Sequence, residues 1–502
     1  AYRYESVGSY AVDAKASYKK KNTVYEVSGK RQYFDGWNVT DGGFDWIQDF
    51  VADSGRVQFW NPKIQNSINI GASHLMGNWT IAPTLRYFNE TIENRGYPRA
   101  PYGELAFDDY YITNRFSPSV ILKKFNEDKQ VVKITVAYNR FEREKNRYSL
   151  DLTTMQADLL SENDASDTTI VDHFMSRGSI NFNILPRISA TAGYDVNGEV
   201  LTGGRISNEA KGLVDGAGFG LVRYKKNRFN AQIGARETWN SAYDSKLTPS
   251  GHLMWTNDKG QLRASWAQGY RAPSIKELYF EFVDINHQLF GNENLQPETS
   301  SNTQISWTQK AFGGAFEASL FSNDVDQLIE LVSDTTGLQY FYENVGDFNS
   351  HGAKTKFSTN INKLTCEFGA SILGVQVDGF EEFMYSSEYA TDLRYGFNKS
   401  RTTAQLSMKY NGRVSRYFYD ADGEIILGTN DAYTMADFTV QHTAMDGCLR
   451  TSFAVRNIFD IRNVGSTMMT SSGHSSGGGS FPMSWGRSIV ISAKWNFKPV
   501  SK

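Results

Sequence analysis

Seven histidines and two cysteines are the side chains best suited to metal or nucleophilic chemistry, and none of them sits in a catalytic spacing. The chain has no G-x-S-x-G elbow, H-E-x-x-H pair, Walker lysine or dinucleotide fingerprint, and the Gly-rich segment 475–480 lacks the Lys and helix of a phosphate loop. Cys366 and Cys448 are too few for a thiolate zinc site or a disulfide framework. Asp420, Asp422 and Glu424 supply part of a calcium loop without its full ligand set, and read as an Asp-Gly hairpin tip. The residues therefore suit binding better than bond-making. One candidate platform is YFDGWNVTDGGFDWIQDF, where Trp37 and Trp46 lie among Tyr33, Phe34, Phe44 and Phe50 on a long loop. Such a cluster can stack on a ligand, or fold onto itself and touch a membrane leaflet.

The elements that must position these residues are strands. Ile489, Ile491, Ala493, Trp495 and Phe497 alternate with Ser488, Ser492, Lys494 and Asn496, and the same period of two runs through 132–139, 229–236 and 262–270. By this parity Cys366 shares the outward face of its strand with Leu364 and Phe368. There is no run of 18 apolar residues, which excludes helical spans but not a barrel crossing with half-apolar strands. Lys plus Arg number 52 against 55 Asp plus Glu, a net charge of −3 that gives no sign of nucleic-acid binding. Aromatic residues near strand ends suit interfacial girdles. Asn411-Gly412, Asp422-Gly423 and Asp446-Gly447 read as tight turns, and 31–63, 89–110, 142–174, 274–301, 376–400 and 461–485 as long polar loops. The expected fold is all-β: one domain, 1–502, forming a large transmembrane antiparallel β-barrel of about 22 strands, with long extracellular loops and short periplasmic turns.

Residues 264–308 add a more specific signal. They contain Gly269–Ser274 (GYRAPS), Glu277-Leu278-Tyr279 and Gly291–Glu298 (GNENLQPE). This order closely resembles the mid-barrel segment of TonB-dependent outer-membrane receptors. Residues 342–358 resemble the family's N-x-G…G-x-E strand, with Lys354 or Lys356 where a Glu is common, and 455–460 with 486–497 resemble its closing strands. Phe497 stands where family barrels end on the aromatic that assembly machinery reads.

The resemblance implies a bacterial outer-membrane transporter and no enzyme. Its implied partners are membrane lipid, a small-molecule ligand, a surface lipoprotein that can cap such barrels, and an N-terminal plug domain contacting TonB. The plug and its TonB box normally precede the barrel, whereas residues 1–502 read as barrel throughout. Within the family, heme receptors carry [FY]-R-A-P and N-P-[DN]-L with a histidine between them. Tyr270-Arg271-Ala272-Pro273, His287 and Asn292-Glu293-Asn294-Leu295 follow that order, with Glu293 in place of Pro. The resemblance thus makes His287 the metal-ligating candidate, since neutral imidazole is a standard axial ligand of heme iron. Tyr270, Arg271, Tyr279, Phe290 and Asn292 are its companions, and Trp37 and Trp46 the more distant platform. No covalent cofactor is expected; heme is the first transported ligand, cobalamin or a ferric siderophore the alternative, and a passive porin the third reading. Siderophore and cobalamin receptors carry similar segments as a structural strand and loop, in which Arg271, Glu277 and Glu298 would form a satisfied polar network.

Overall fold

The computed structural model describes residues 1–502 other than 38–55, 57, 59, 100–101, 128, 161–165, 207–208, 284–287, 312, 334–338, 378, 398–399, 420–424, 468–478 and 498–502. Among the described residues, twenty-two antiparallel strands pair in chain order around a closed ring, and the short Ala157–Leu159 adds to the upper part of Lys129–Asp151. The ring closes where Tyr2–Glu5 lies against Ser488–Trp495, with Tyr2 opposite Ala493 and Glu5 opposite Val490. Closure leaves the wall without a free edge, as a bilayer requires, because lipid offers no partner for an open backbone N–H or C=O.

Which face of each strand is apolar decides the solvent. Ile233 is 68% exposed, Leu320 61% and Ile70 52%, and each points away from the lumen. In water such a surface would drive aggregation; facing lipid it is the apolar band of a membrane barrel. Exposed Tyr18, Phe229, Trp255 and Phe397 ring the wall near the short turns, and Tyr87, Trp239 and Tyr385 stand further up it. These two levels match interfacial girdles. No helix among the described residues is long and apolar enough to cross a membrane, which says nothing against crossing by strands.

One rim carries short turns closed by residues in left-handed conformation, among them Lys21, Gly77, Asn227 and Asn362. Asp446-Gly447 is one of them, within the turn Met445–Gly447. Asn411-Gly412 is not: it opens an excursion on the opposite rim that contains the hairpin Val414–Tyr419 with Ile425–Asn430. Asp422-Gly423 lies outside the described residues.

Three of the expected long loops are largely strand. Trp79–Arg95 pairs with Leu105–Asn126, Lys129–Asp151 with Asp167–Leu185, and Met384–Phe397 occupies most of 376–400. Above the bilayer both faces of a strand meet water, so the period-two signal fades while backbone pairing continues. A periodicity reading therefore stops at the membrane surface, and the sheet does not. Cys366 has the outward parity expected of it, yet neighbouring side chains leave it only 6% exposed.

Candidate ligand-binding rim

The strand Gly260–Arg271 delivers Arg271 to the long-loop rim, opposite Glu298 of Glu298–Ala311. Its guanidinium grips Glu298 in a fork, Nε to Oε2 at 2.6 Å and Nη2 to Oε1 at 2.7 Å, while Nη1 donates to both Glu277 oxygens at 3.0 and 2.9 Å. Glu277 also closes a capping box on the helical turn Ile275–Tyr279: the Ser274 N–H donates to its carboxylate at 2.7 Å, and the Glu277 N–H donates to Ser274 Oγ at 3.3 Å. Burial pushes the Glu277 carboxyl up, but the bonds from Arg271 and Ser274 outweigh it and hold the group below its ordinary value. Glu298 Oε1 further accepts the Ile329 N–H at 2.8 Å, tying a second loop to the same node.

Beneath this polar node Ile275, Leu278, Leu295 and Ile329 pack on Leu201, Ile206 and Leu213 in a small buried core. Gly291 is required by contact. A Cβ there would come within 2.7 Å of the Leu278 and Phe280 backbone, and its N–H donates to the Phe280 carbonyl at 2.5 Å. Asn292 Nδ2 donates to the Tyr342 carbonyl at 3.0 Å, and its Oδ1 accepts the Asn294 N–H at 2.9 Å. Glu281–Val283, Gln288–Phe290, Gln339–Asn344 and Ile329–Ser333 then form a four-stranded sheet joining the two loops. Phe290 stacks on Phe341 across it, centroids 5.5 Å apart.

Arg271, Tyr279, Phe290 and Asn292 are thus brought together in one loop assembly, where each already has an intramolecular partner. Tyr279 packs against the core with Lys211 4.9 Å from its ring. Tyr270 shares the outward parity of Trp266, and its hydroxyl donates to the Asp244 carbonyl at 3.4 Å. Trp37 belongs to a separate aromatic group: its backbone exchanges two 2.9 Å bonds with Trp60, the two rings lie 5.2 Å apart, and Trp60 meets Trp485, which packs on Phe34. His287 and Trp46 lie outside the described residues.

Sequence reasoning missed the lumen-facing wall across this assembly. On the high extension of Lys129–Asp151, Arg143, Lys145 and Arg147 share the face opposite Val136. Arg147 forks onto Asp109 at 2.6 and 2.9 Å, Lys145 stands 3.6 Å from the same carboxylate, and Arg143 lies 4.8 Å over the Tyr111 ring. Arg205 sits 4.3 Å over Phe282, joining this wall to the loop sheet. Burial pushes the Lys145 ammonium below its ordinary value, with Asp109 opposing the shift. Burial also raises the Tyr111 phenol. Alternate cations in Phe141-x-Arg143-x-Lys145-x-Arg147 were the available signal, concealed because the segment read as loop. Among the described residues no group of His, Cys, Asp and Glu could hold a metal ion.

A closed barrel of this size, apolar outside and bearing a cation- and aromatic-lined mouth, is the framework of an outer-membrane receptor. The chain belongs to the family described as TonB dependent receptor-like, beta-barrel, which it matches over residues 18–458. It is an outer-membrane protein that crosses the bilayer by its strands. It is 23% identical over 336 residues to the vitamin B12 transporter BtuB of Vibrio vulnificus, covering 63% of this chain and 51% of that protein. A 23% identical match to the heme/hemopexin utilization protein C of Haemophilus influenzae covers 43% of this chain and 34% of that one. The chain thus spans about half, or less, of these curated relatives. Among solved structures, the Pseudomonas aeruginosa ferric enterobactin receptor in complex with enterobactin superimposes with a TM-score of 0.76 at 16% identity, covering 97% of this chain and 78% of that one. The FrpB iron transporter of Neisseria meningitidis gives 0.73 at 13%, covering 99% and 80%.

Proposed function

We propose that this barrel is the translocation pathway of a receptor that imports an iron-containing nutrient, with an anionic ferric chelate of the siderophore class as its cargo. The observation that carries this reading is the mouth built from Tyr111, Arg143, Lys145, Arg205 and Phe282, where cations and aromatic faces meet between the lumen-facing wall and the loop sheet. Cations attract an anionic chelate, and partial desolvation makes each of them worth more than in bulk water. Aromatic faces match the flat rings that many iron chelators present. The iron transporter and ferric enterobactin receptor among the structural relatives support it. A plug domain inside the barrel, pulled by TonB, would supply the gate, and a surface lipoprotein is a further partner of the same reading. No bond of the cargo is made or broken.

The test is titration of the full-length receptor, plug included, with a ferric catecholate, heme and cobalamin, followed by tryptophan quenching. Saturable binding of the ferric catecholate, weakened roughly tenfold or more by Arg143→Ala with Lys145→Ala, is the expected result. Preferential binding of cobalamin or heme overturns it. Heme is the second reading, favoured by the heme-utilization relative and by His287 lying between Arg271 and Asn292 in sequence. Under that reading a red-shifted Soret band appears on titration and weakens in His287→Ala.

A further inference from the structure

Three neighbouring short turns carry Arg187, Lys225, Lys226, Arg228 and Lys259 against a single carboxylate, Asp258. They join Asp167–Leu185 to Ile188–Thr202, Lys211–Lys226 to Phe229–Asn240, and Lys246–Thr256 to Gly260–Arg271. All five cations are exposed. Backbone bonds weld the turns side by side: the Lys225 N–H donates to the Arg187 carbonyl at 2.9 Å, and the Thr256 N–H to the Arg228 carbonyl at 2.8 Å. Asn257 Oδ1 accepts the N–H groups of Lys259 and Gly260 at 2.9 and 2.7 Å, which fixes the third turn. Arg228 reaches Asp258 at 2.9 Å, but both side chains are largely exposed, so the pair contributes little and leaves the cation open to exchange. The other four have no ion pair among the described residues.

Directly above these cations the outer wall is apolar, with Phe182, Ile184, Phe229, Leu253 and Trp255 exposed to lipid. Lys226 shares the outward parity of Tyr224 and stands opposite Phe229 in register. Charges at the foot of an aromatic-edged apolar wall lie at headgroup depth, where a Lys or Arg stem stays on the apolar surface and its head reaches the polar layer. The rim is uneven in this respect. The turn at Gly77 has no Lys, Arg, Asp or Glu between His74 and Ile81. The turn Met445–Gly447 sets Asp446 3.5 Å from Arg401, and Lys19, Lys20 and Lys21 form a separate basic turn. A chain of net charge −3 therefore concentrates positive charge at particular sectors of one rim.

We infer that this three-turn patch is a binding site for anionic phospholipid of the periplasmic leaflet. Arg187, Lys225, Lys226 and Arg228 hold the headgroup, and the apolar wall above them receives the acyl chains. The inference rests on the short turns being periplasmic, as the receptor reading has them, and adds a lipid class and a side of the barrel. Charge complementarity selects the occupant. A zwitterionic headgroup brings its own ammonium into a field already positive, whereas an anionic one brings net charge of the opposite sign. An acidic soluble protein would meet the cations and leave the wall above them uncontacted; a lipid meets both.

The test is native mass spectrometry of the full-length receptor in detergent micelles, titrated with phosphatidylglycerol or with phosphatidylethanolamine of identical acyl chains. Wild type is compared with R187Q/K225Q/K226Q/R228Q and with K363Q/R401Q, whose changes lie on other short turns. Heat-modifiable electrophoretic migration establishes that each barrel is folded. The expected result is a wild-type preference for phosphatidylglycerol of roughly tenfold or more. It should fall towards parity in the quadruple variant, persist in K363Q/R401Q, and shrink as salt is raised. Equal binding of the two lipids by wild type overturns the inference. So does a preference that the quadruple variant keeps, or that both variants lose equally. Labelling of K226C/C448S by a membrane-impermeant maleimide on intact cells refutes the periplasmic placement of the short turns instead, a distinct outcome.

Discussion

Arg271 holds two carboxylates, each largely covered, while its own side chain is 44% exposed to the lumen. Its replacement by Ala leaves Glu277 and Glu298 without their common cation. The expected local cost is about 1–3 kcal/mol, at the lower end because water reaches the guanidinium. Hydrogen exchange should show faster exchange at Leu278 and Ile329 while the wall strands keep their protection. Arg271→Lys should restore little, because a single ammonium cannot fork onto two carboxylates. The same node predicts a pH response. The folded Glu277 carboxyl lies below its ordinary value of 4.5, so its stabilisation is complete at neutral pH and is lost as the pH falls through and below that value. Pepsin cleavage within 272–297, measured from pH 5 down to pH 2, should accelerate in wild type. A Glu277→Gln protein should instead be readily cut at every pH, and equal pH dependence in both proteins would refute the assignment.

At the scale of elements, the GNENLQPE segment acts as a weld between the loops 272–297 and 327–347. Gly291→Ala places a methyl where the Leu278 and Phe280 backbone already lies. The chain must shift rather than a flexible side chain. The four-stranded loop sheet should open, and limited proteolysis should cut between 281 and 344 at least several-fold faster, with the barrel still migrating as a folded species. The motif that identifies the family in sequence is thus explained by architecture. The legible part of the candidate site was its scaffold: Arg271, Glu277, Asn292 and Glu298 occur where motif spacing placed them. The cation-aromatic wall was not legible, because Tyr111, Arg143 and Arg205 come from three segments with no shared pattern, and only strand pairing high above the bilayer sets them side by side.

For the whole molecule, the inside-out arrangement sets what each face tolerates. Ile233→Arg puts a guanidinium in the lipid band and should cost about 2–4 kcal/mol if it sits near the midplane, measured by urea unfolding from lipid vesicles. Ser306→Arg, on the lumen side of the same wall, should change folding stability by much less, and equal losses at both positions would contradict the assigned faces. The amino-acid sequence by itself determined that this is an all-β chain of strands with one apolar and one polar face. Period-two alternation at Ile489–Phe497 and elsewhere is a local property, since each strand needs only its own residues to divide into an apolar and a polar face. The motifs in 264–308 added the family, because a cap such as Ser274–Glu277 and a contact such as that at Gly291 demand particular residue types at short range. Tertiary structure decided that the apolar face points outward, how far the strands rise above the bilayer, and which cations share the lumen. Those depend on ring closure and register, which bring residues hundreds of positions apart, such as Glu5 and Ser488, within bonding distance without any local sequence pattern to announce it.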